Sequence, residues 1–552
     1  MRLDGGSIAH LCDMKGAAFR PIRLGRQKEQ REMPSLVLPP NVNERTFQKA
    51  LEAFAGVVGR QWVLATDEDR YTYMDIYAPG DADRHTPSAA VGPASSEEVQ
   101  AIVRLANEYK IPLWPISRGK NLGYGAAAPQ MPGTVVLDLG RMKRIIEVNE
   151  RYGYCLIEPG VGFFDLFAHL QENKIPLWMS VPANAWGSVV GNALERGYGY
   201  TPYGENTKNI CGMEIVLPNG EMVRTGTGAM SNSPNWHLFK YGFGPSWDQV
   251  FVQSNYGIVT KMGMWLMPEP EATLGLNMQL PDPDDVGWAI DALQPLRLNG
   301  VLQQNPSIGN SLRVVATRSP RSQWYDGEGA LPDDVLRSIL DKWNLGWWGV
   351  NLRLFGYDEV NEANARLIKA AFAKHTKQEF EVVKWHRGEP IENSGAGVPT
   401  TNPLQIINWR GGRGGHLGFS PVLPAGGEHV LKQFHSTKKR YEEIGVDYYG
   451  SFTLFDRYAI NVNMMVYDRD DKALTDKVRN LFTVLVADAA KEGYSEYRTH
   501  ISFMDDVALS FDYNNHALRR LNETVKDALD PNGILAPGKQ GIWPKVYRGS
   551  RA

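Results

Sequence analysis

Three glycine-bearing segments hold the residues best suited to surround an anion. Ser117-Arg118-Gly119-Lys120-Asn121-Leu122-Gly123-Tyr124-Gly125 combines three glycines, small polar side chains and two cations. Backbone N–H groups in such a loop can close around a group such as a pyrophosphate, although a glycine-rich surface turn has the same composition. Trp186-Gly187-Ser188-Val189-Val190-Gly191-Asn192, running on to residues 195–204, has a similar texture, as does Ser254-Asn255-Tyr256-Gly257-Ile258-Val259-Thr260. A lone histidine, His416, stands among glycines in residues 411–421. A neutral imidazole nitrogen is a nucleophile and flanking glycines permit close approach, but a lone histidine more often packs in a loop. Tyr497-Arg498, within Glu496-Tyr497-Arg498-Thr499-His500, sets a phenol beside a guanidinium. Neighbours on a strand face opposite ways, so both reach one ligand only if the strand bends or ends there.

The elements that must carry these residues read as mixed. Ser95 and Glu98, three apart, form a capping-box pattern ahead of the helical stripe Val99, Ile102, Val103, Ala106. Ile111-Pro112-Leu113-Trp114 follows, with Pro112 marking a strand start. A second helical stretch, 163–174, leads into Ile175-Pro176-Leu177-Trp178, so a helix-to-IPLW unit occurs twice and hints at a repeat. Strand-like runs at 134–139, 144–148 and 154–158 alternate with helices in the manner of an α+β domain. After Pro268-Glu269-Pro270 the helices lengthen and charge rises, with a surface helix expected over 428–445. A turn at Asp530-Pro531-Asn532-Gly533 precedes a strand-like Ile534-Leu535-Ala536.

The 552 residues hold 59 Lys+Arg against 62 Asp+Glu, a near balance that builds no field for nucleic acid. Three cysteines (Cys12, Cys155, Cys211) form no CxxC pair, and no carboxylate cluster has metal spacing, so no metal is expected. No apolar run approaches a membrane span of about 18 residues. Residues 1–32 lack the apolar core of a secretion signal and read as a flexible tail. There is no complete G-x-G-x-x-G, HExxH or G-x-S-x-G. The P-loop mimic over 533–540 ends in Gln540 and places Pro537 where a backbone N–H should donate.

Taken in order, PISRGKNLGYGAAAP, ERGYGYTPYGE, YGFGP, SNYGIVTKMG, EYRTH and DPNGILAPGK run from residue 115 to 539. In these segments the chain resembles the vanillyl-alcohol oxidase and p-cresol methylhydroxylase flavoenzymes. The resemblance implies an α+β fold: a two-subdomain FAD-binding domain with an α+β cap. With the boundaries read from texture, the FAD-binding domain takes 33–270, the cap 271–496 and a C-terminal return 497–552. It implies FAD lying against Ser117, Arg118, Gly119, Lys120, Asn121, Gly123, Gly187, Ser188, Gly191, Asn192, Gly197, Gly257, Ile258, Val259 and Lys539. His416 matches the flavin-linked histidine of the oxidase. The methylhydroxylase uses a tyrosine slightly upstream, where this chain reads Ile406-Ile407-Asn408-Trp409. FAD is therefore expected to be attached covalently through His416. Tyr124, Tyr497 and Arg498 match the residues that bind a para-substituted phenol and hold it ionised.

The pattern breaks beside the flavin. Ala183 stands where the oxidase has an aspartate, Ser451 where the methylhydroxylase has a glutamate, and the downstream paired histidines are replaced around Ile460-Asn461. Asp505, Asp506, Asp456 and His500 are the nearest substitutes along the chain. Ala183, Trp186 and Ser451 are expected to shape a substrate pocket widened by the lost carboxylates. The resemblance implies oxidation of 4-alkylphenols, 4-hydroxybenzylic or cinnamylic alcohols, or bulky methoxylated lignin-derived phenols. The resemblance also implies that hydride passes to FAD via a p-quinone methide, with O2 as the expected reoxidant and H2O2 released. The glycine-rich run 409–415 resembles the methylhydroxylase more than the oxidase and keeps open the alternative, a 4-alkylphenol or lignan hydroxylase or dehydrogenase passing electrons to a cytochrome c. A catalytically silent flavin-binding protein is the alternative of another class. A homodimer or higher homo-oligomer, implied by the resemblance, and a cytoplasmic location, with periplasm or organelle as alternatives, complete the expectations.

Overall fold

The computed structural model describes residues 35–391 and 394–550, so the expected tail over 1–32 lies outside the described residues. Helix Ser96–Tyr109 begins as its sequence dictates: Ser95 Oγ accepts from the Glu98 N–H, while the Glu98 carboxylate turns back to the Ala94 N–H at 2.7 Å. Its buried stripe packs with helix Glu44–Val58 over a four-stranded sheet. In that sheet Ala89–Val91, Val135–Asp138 and Leu113–Ile116 run parallel, with Val63–Leu64 antiparallel at the edge. A second, antiparallel sheet has the order Ile145–Asn149, Tyr154–Ile157, Ile258–Trp265, Ile210–Val216, Met222–Arg224, and buries helices Phe163–Glu172 and Val189–Leu194.

The repeated IPLW is not a structural repeat. Leu113–Ile116 is a parallel strand, whereas Leu177–Trp178 pairs antiparallel with Met267–Pro268 in a two-stranded ladder. Identical residues take different partners because pairing is set by what lies across the strand, not along it.

Residues 272–496 build a nine-stranded antiparallel sheet. One face carries Leu274, Leu276, Met278, Val350, Leu352 and Ile308 into a core with helices Asp285–Leu298, Asp358–Phe372, Gly427–Ile444 and Lys472–Lys491. Helix Gly427–Ile444 is more than a surface helix: Val430, Phe434 and Tyr441, on one face, are fully buried. The opposite sheet face is polar and small. Gln279, Gly349, Gly309, Ser451 and Val462 lie directly across from one another on five successive strands.

The C-terminal segment returns to the first sheet. Leu113 donates to Ile534 O at 2.7 Å, and the Ala536 N–H donates to Leu113 O at 2.8 Å. Fully buried Lys526 pairs with Asp530 at 2.8 Å and donates to the carbonyls of Asn255 and Leu535, both at 2.7 Å. The side chain of Asn255 in turn donates to Ala536 O and Ile542 O at 2.9 Å. Removing one member of a buried pair strands the other charge, so Lys526→Met is expected to cost about 3–5 kcal/mol. Denaturant unfolding checks this. Among the described residues no helix is long and apolar enough to cross a membrane, and no cluster of metal-ligating side chains occurs.

Candidate active site

A cavity of about 1400 Å³ runs between the three anion-loop segments and the polar face of the nine-stranded sheet. Its loop wall is held by hydrogen bonds between segments distant in sequence. Ser188 caps helix Val189–Leu194, accepting from the Gly191 N–H at 2.9 Å and donating to Ser117 Oγ at 2.7 Å. Gly191 is required there, because a Cβ would lie 2.5 Å from Ser117 Oγ. Asn206 donates to Asn192 Oδ1 at 2.7 Å, Arg118 pairs with Asp165 at 2.6 Å, and Lys539 pairs with Glu195. Of the residues expected to hold FAD, Gly123 alone does not line the cavity; it lies behind His416.

His416 sits on strand Gly414–Phe419, paired with Tyr458–Asp468, rather than in a loop. Strand alternation sends Leu417 and Phe419 into the cap core and presents His416 and Gly418 to the cavity side, where Gly418 faces the Tyr124 hydroxyl. The imidazole is buried, its Nδ1 has no hydrogen-bond partner, and the Tyr77 ring lies 5.2 Å away. Burial lowers its pKa to about 4, so the ring is neutral at physiological pH. A neutral, unpartnered nucleophile facing a cradle of this size fits an FAD held here. Gly123, at φ +80°, packs so closely that a Cβ would lie 2.4 Å from His416 Cε1. Gly123→Ala combines that clash with a strained backbone worth about 1–3 kcal/mol. It is expected to lower flavin retention about tenfold, read as flavin absorbance per chain after gel filtration.

The strand Ser495–Glu496 ends before Tyr497, and the bend lets both Tyr497 and Arg498 reach the cavity. The Arg498 guanidinium carbon lies 4.0 Å from the Tyr124 ring centroid and 5.6 Å from that of Tyr497. Arg498 Nε is buried without a partner, and no carboxylate pairs with this guanidinium among the described residues. Burial works against its charge, but the two tyrosine hydroxyls outweigh it and hold its pKa above the ordinary value. Burial pushes the Tyr497 hydroxyl well above its ordinary pKa, with Arg498 opposing. Tyr198 extends the cluster. Its ring is 6.2 Å from that of Tyr497 and its hydroxyl meets Thr453 Oγ1 at 3.0 Å. Nothing in the glycine-rich reading of 195–204 singled out Tyr198 or Tyr200, although both share one side of an alternating pattern and line the cavity.

Ala183 and Ser451 line the wall beside these groups, but Trp186 does not. Trp186 is 44% exposed and faces outward, with the Lys120 ammonium 5.2 Å from its ring. The neighbouring residues of a turn point apart, which adjacency to Ala183 could not reveal. None of the four substitute bases lines the cavity. His500 is buried against Asp75 at 2.7 Å, Asp505 accepts from Trp543 at 2.9 Å, and Asp456 pairs with Arg297 at 3.2 Å. Burial raises the pKa of Asp506.

Comparisons with known proteins agree with this architecture. An FAD binding domain model matches residues 87–226, and a model for the C-terminal domain of FAD linked oxidases matches 432–540. The flavoprotein subunit of 4-cresol dehydrogenase (hydroxylating) from Pseudomonas putida is 37% identical, over 93% of this chain and 98% of its own length. A 1'-carboxy-chondrochloren decarboxylase from Chondromyces crocatus is 30% identical over 91% of this chain and 99% of its own. Among solved structures, 4-ethylphenol oxidase from Gulosibacter chungangensis, in complex with isoeugenol, superposes with a TM-score of 0.88 at 35% identity, covering 93% of this chain and all of that one. Substrate-bound p-cresol methylhydroxylase gives 0.87 at 37% identity, covering 92% and 99%.

Proposed function

Because the chain belongs to the vanillyl-alcohol oxidase and p-cresol methylhydroxylase family of FAD-linked oxidoreductases, we propose that it oxidises para-substituted phenols at the para substituent, with FAD linked to His416. The observation that carries this reading is the buried Arg498 guanidinium, set over Tyr124 and beside Tyr497, with no carboxylate within ion-pair distance among the described residues. A phenolate is the counter-ion that such a site lacks. A guanidinium within about 4–6 Å favours phenolate over phenol, and two tyrosine hydroxyls donate to the same oxygen. FAD, when bound, supplies the hydride acceptor. The chain's part is to hold the substrate ionised, so that electron density pushed from the phenolate expels hydride from the para-carbon substituent and leaves a p-quinone methide.

Among the described residues lining the cavity, no carboxylate other than Glu195, which pairs with Lys539, is there to activate water. The fate of the quinone methide therefore follows its own substituents, with water adding unaided or a proton leaving to give an alkene. Small Ala183 and Ser451 leave room for bulky ring systems, including methoxylated phenols. O2 is the acceptor on this reading, in line with the relative named an oxidase. The 37% identical relative is named a dehydrogenase, which favours a second reading with a cytochrome as acceptor.

Anaerobic titration of the holoenzyme with a panel of para-substituted phenols tests the proposal. Bleaching of the flavin by guaiacyl and syringyl phenols, followed by rapid recovery and peroxide on admitting air, is the expected result. Slow recovery in air that a cytochrome c accelerates supports the second reading. Failure of every phenol to bleach the flavin overturns both.

A further inference from the structure

The cavity is strongly unbalanced in charge. Among the described residues that line it the one carboxylate is Glu195, already paired with Lys539. FAD diphosphate and a phenolate account for the cations of the loop wall and for Arg498. They do not account for Arg313, Arg318 and Arg353, which line the cavity away from the loops; Arg318 lies over the Trp343 ring, at 5.8 Å, which leaves Arg313 and Arg353 beside the nine-stranded sheet.

Arg313 projects from the short helix Leu312–Ala316, which follows strand Ser307–Asn310. It is half-buried and forms no hydrogen bond or ion pair among the described residues. A Cβ on Gly309 would lie 3.8 Å from Arg313 Nη1 and 3.9 Å from Ser451 Cβ, so the guanidinium and Ser451 flank the same bare patch of strand. The row Gln279–Gly349–Gly309–Ser451 keeps this floor low along its length. From the clamp, the path runs past Tyr198, bonded to Thr453, to Ser451 and then Arg313. Arg353 stands further along the same sheet face. Among the described residues it donates only to Thr273 Oγ1, at 3.1 Å, and has no acidic partner.

We propose that this lobe is a subsite for a carboxylate carried on the para substituent of the substrate, with Arg313 as its ion-pair partner and Arg353 as a second cation. The inference rests on the phenol-oxidising reading above. A half-buried guanidinium without a counter-ion keeps its desolvation cost unrecovered. Its planar fork matches a carboxylate in two parallel hydrogen bonds, which a hydroxyl or methoxy group cannot supply. Arg313 is thus a specificity residue, acting on which phenol is held rather than on the reacting carbon.

The test compares anaerobic bleaching of the holoenzyme by 3-(4-hydroxyphenyl)propanoate and by the isosteric 3-(4-hydroxyphenyl)propanamide. The half-saturating concentration is the readout. A hydrogen-bonded charge pair is expected to favour the acid by about tenfold or more. Arg313→Gln is expected to bring the ratio near unity, and Arg313→Lys to keep part of it. Because the amide is measured in the same variant, general damage to folding cancels from the ratio. Equal half-saturation by acid and amide in the wild type, or an acid preference that survives in Arg313→Gln, overturns the subsite alone. Failure of 4-propylphenol and both probes to bleach the flavin overturns the phenol reading, and the subsite with it.

Discussion

Arg498→Ala is expected to slow anaerobic flavin reduction by a para-substituted phenol about 10²–10³-fold, the cost typical of losing one well-placed charge-stabilising donor. FAD content should stay near the wild-type value. The reason lies in where the side chain is anchored. Arg498 touches the rings of Tyr124 and Tyr497, not the bonds that tie Ser117, Ser188 and Gly191 into the loop wall of the cavity. Without the guanidinium, a phenol entering this buried space loses the group that favours its ionised form, and the neutral phenol is a poor hydride donor at the para substituent. Arg498→Lys restores the charge but not the planar fork, and is expected to recover only part of the rate. Stopped-flow reduction alongside flavin-to-protein absorbance separates the two effects. Equal loss of FAD and of reduction rate would show that Arg498 serves the fold instead.

His416→Ala is expected to abolish the flavin fluorescence that survives acid precipitation and denaturing electrophoresis. FAD would still enter the cradle, since the loop wall does not depend on the imidazole, but it would wash out on ultrafiltration. The pH dependence carries a second mark of the site. An ordinary histidine loses its neutral, nucleophilic form as pH falls through about 6.5. Burial moves that loss to about 4. Covalent incorporation of FAD into apoprotein should therefore hold steady as pH is lowered through the ordinary histidine range. A fall centred near 6.5 would place the nucleophile in an exposed ring elsewhere. Retention of in-gel fluorescence by His416→Ala would assign the link to another residue.

The parts of this site that a sequence displays are those made by short segments. The glycine-rich loops declare themselves because positive-φ turns and close backbone approach need glycine at fixed local positions, as at Gly123. Tyr497-Arg498 could be paired only by a break in its strand, and the strand does end at Glu496. What escaped is set by registry across strands. Arg313 and Ser451 flank Gly309 because the strand before the Arg313 helix pairs with the strand of Ser451, a relation spanning well over a hundred residues of sequence. Tyr198 looked like one more residue of a glycine loop until its hydroxyl met Thr453. Trp186 failed in the other direction, since a turn that brings Ala183 to the wall sends the indole outward. The twin IPLW strands carry the same lesson for the fold, as one sits in a parallel sheet and its echo in an antiparallel pair.

The bonds made by Lys526, Asn255 and Leu535 also bear on when the protein can acquire its cofactor. The cavity loop around Asn255 is braced by carbonyls and an ammonium from residues 526–542, and strand Leu113–Ile116 gains its outer neighbour from residues 534–536. A ribosome makes the first loop of the cradle hundreds of residues before it makes these braces. Flavin loading is therefore expected to wait for the C-terminal segment, and a C-terminally clipped polypeptide is expected to retain little FAD after gel filtration.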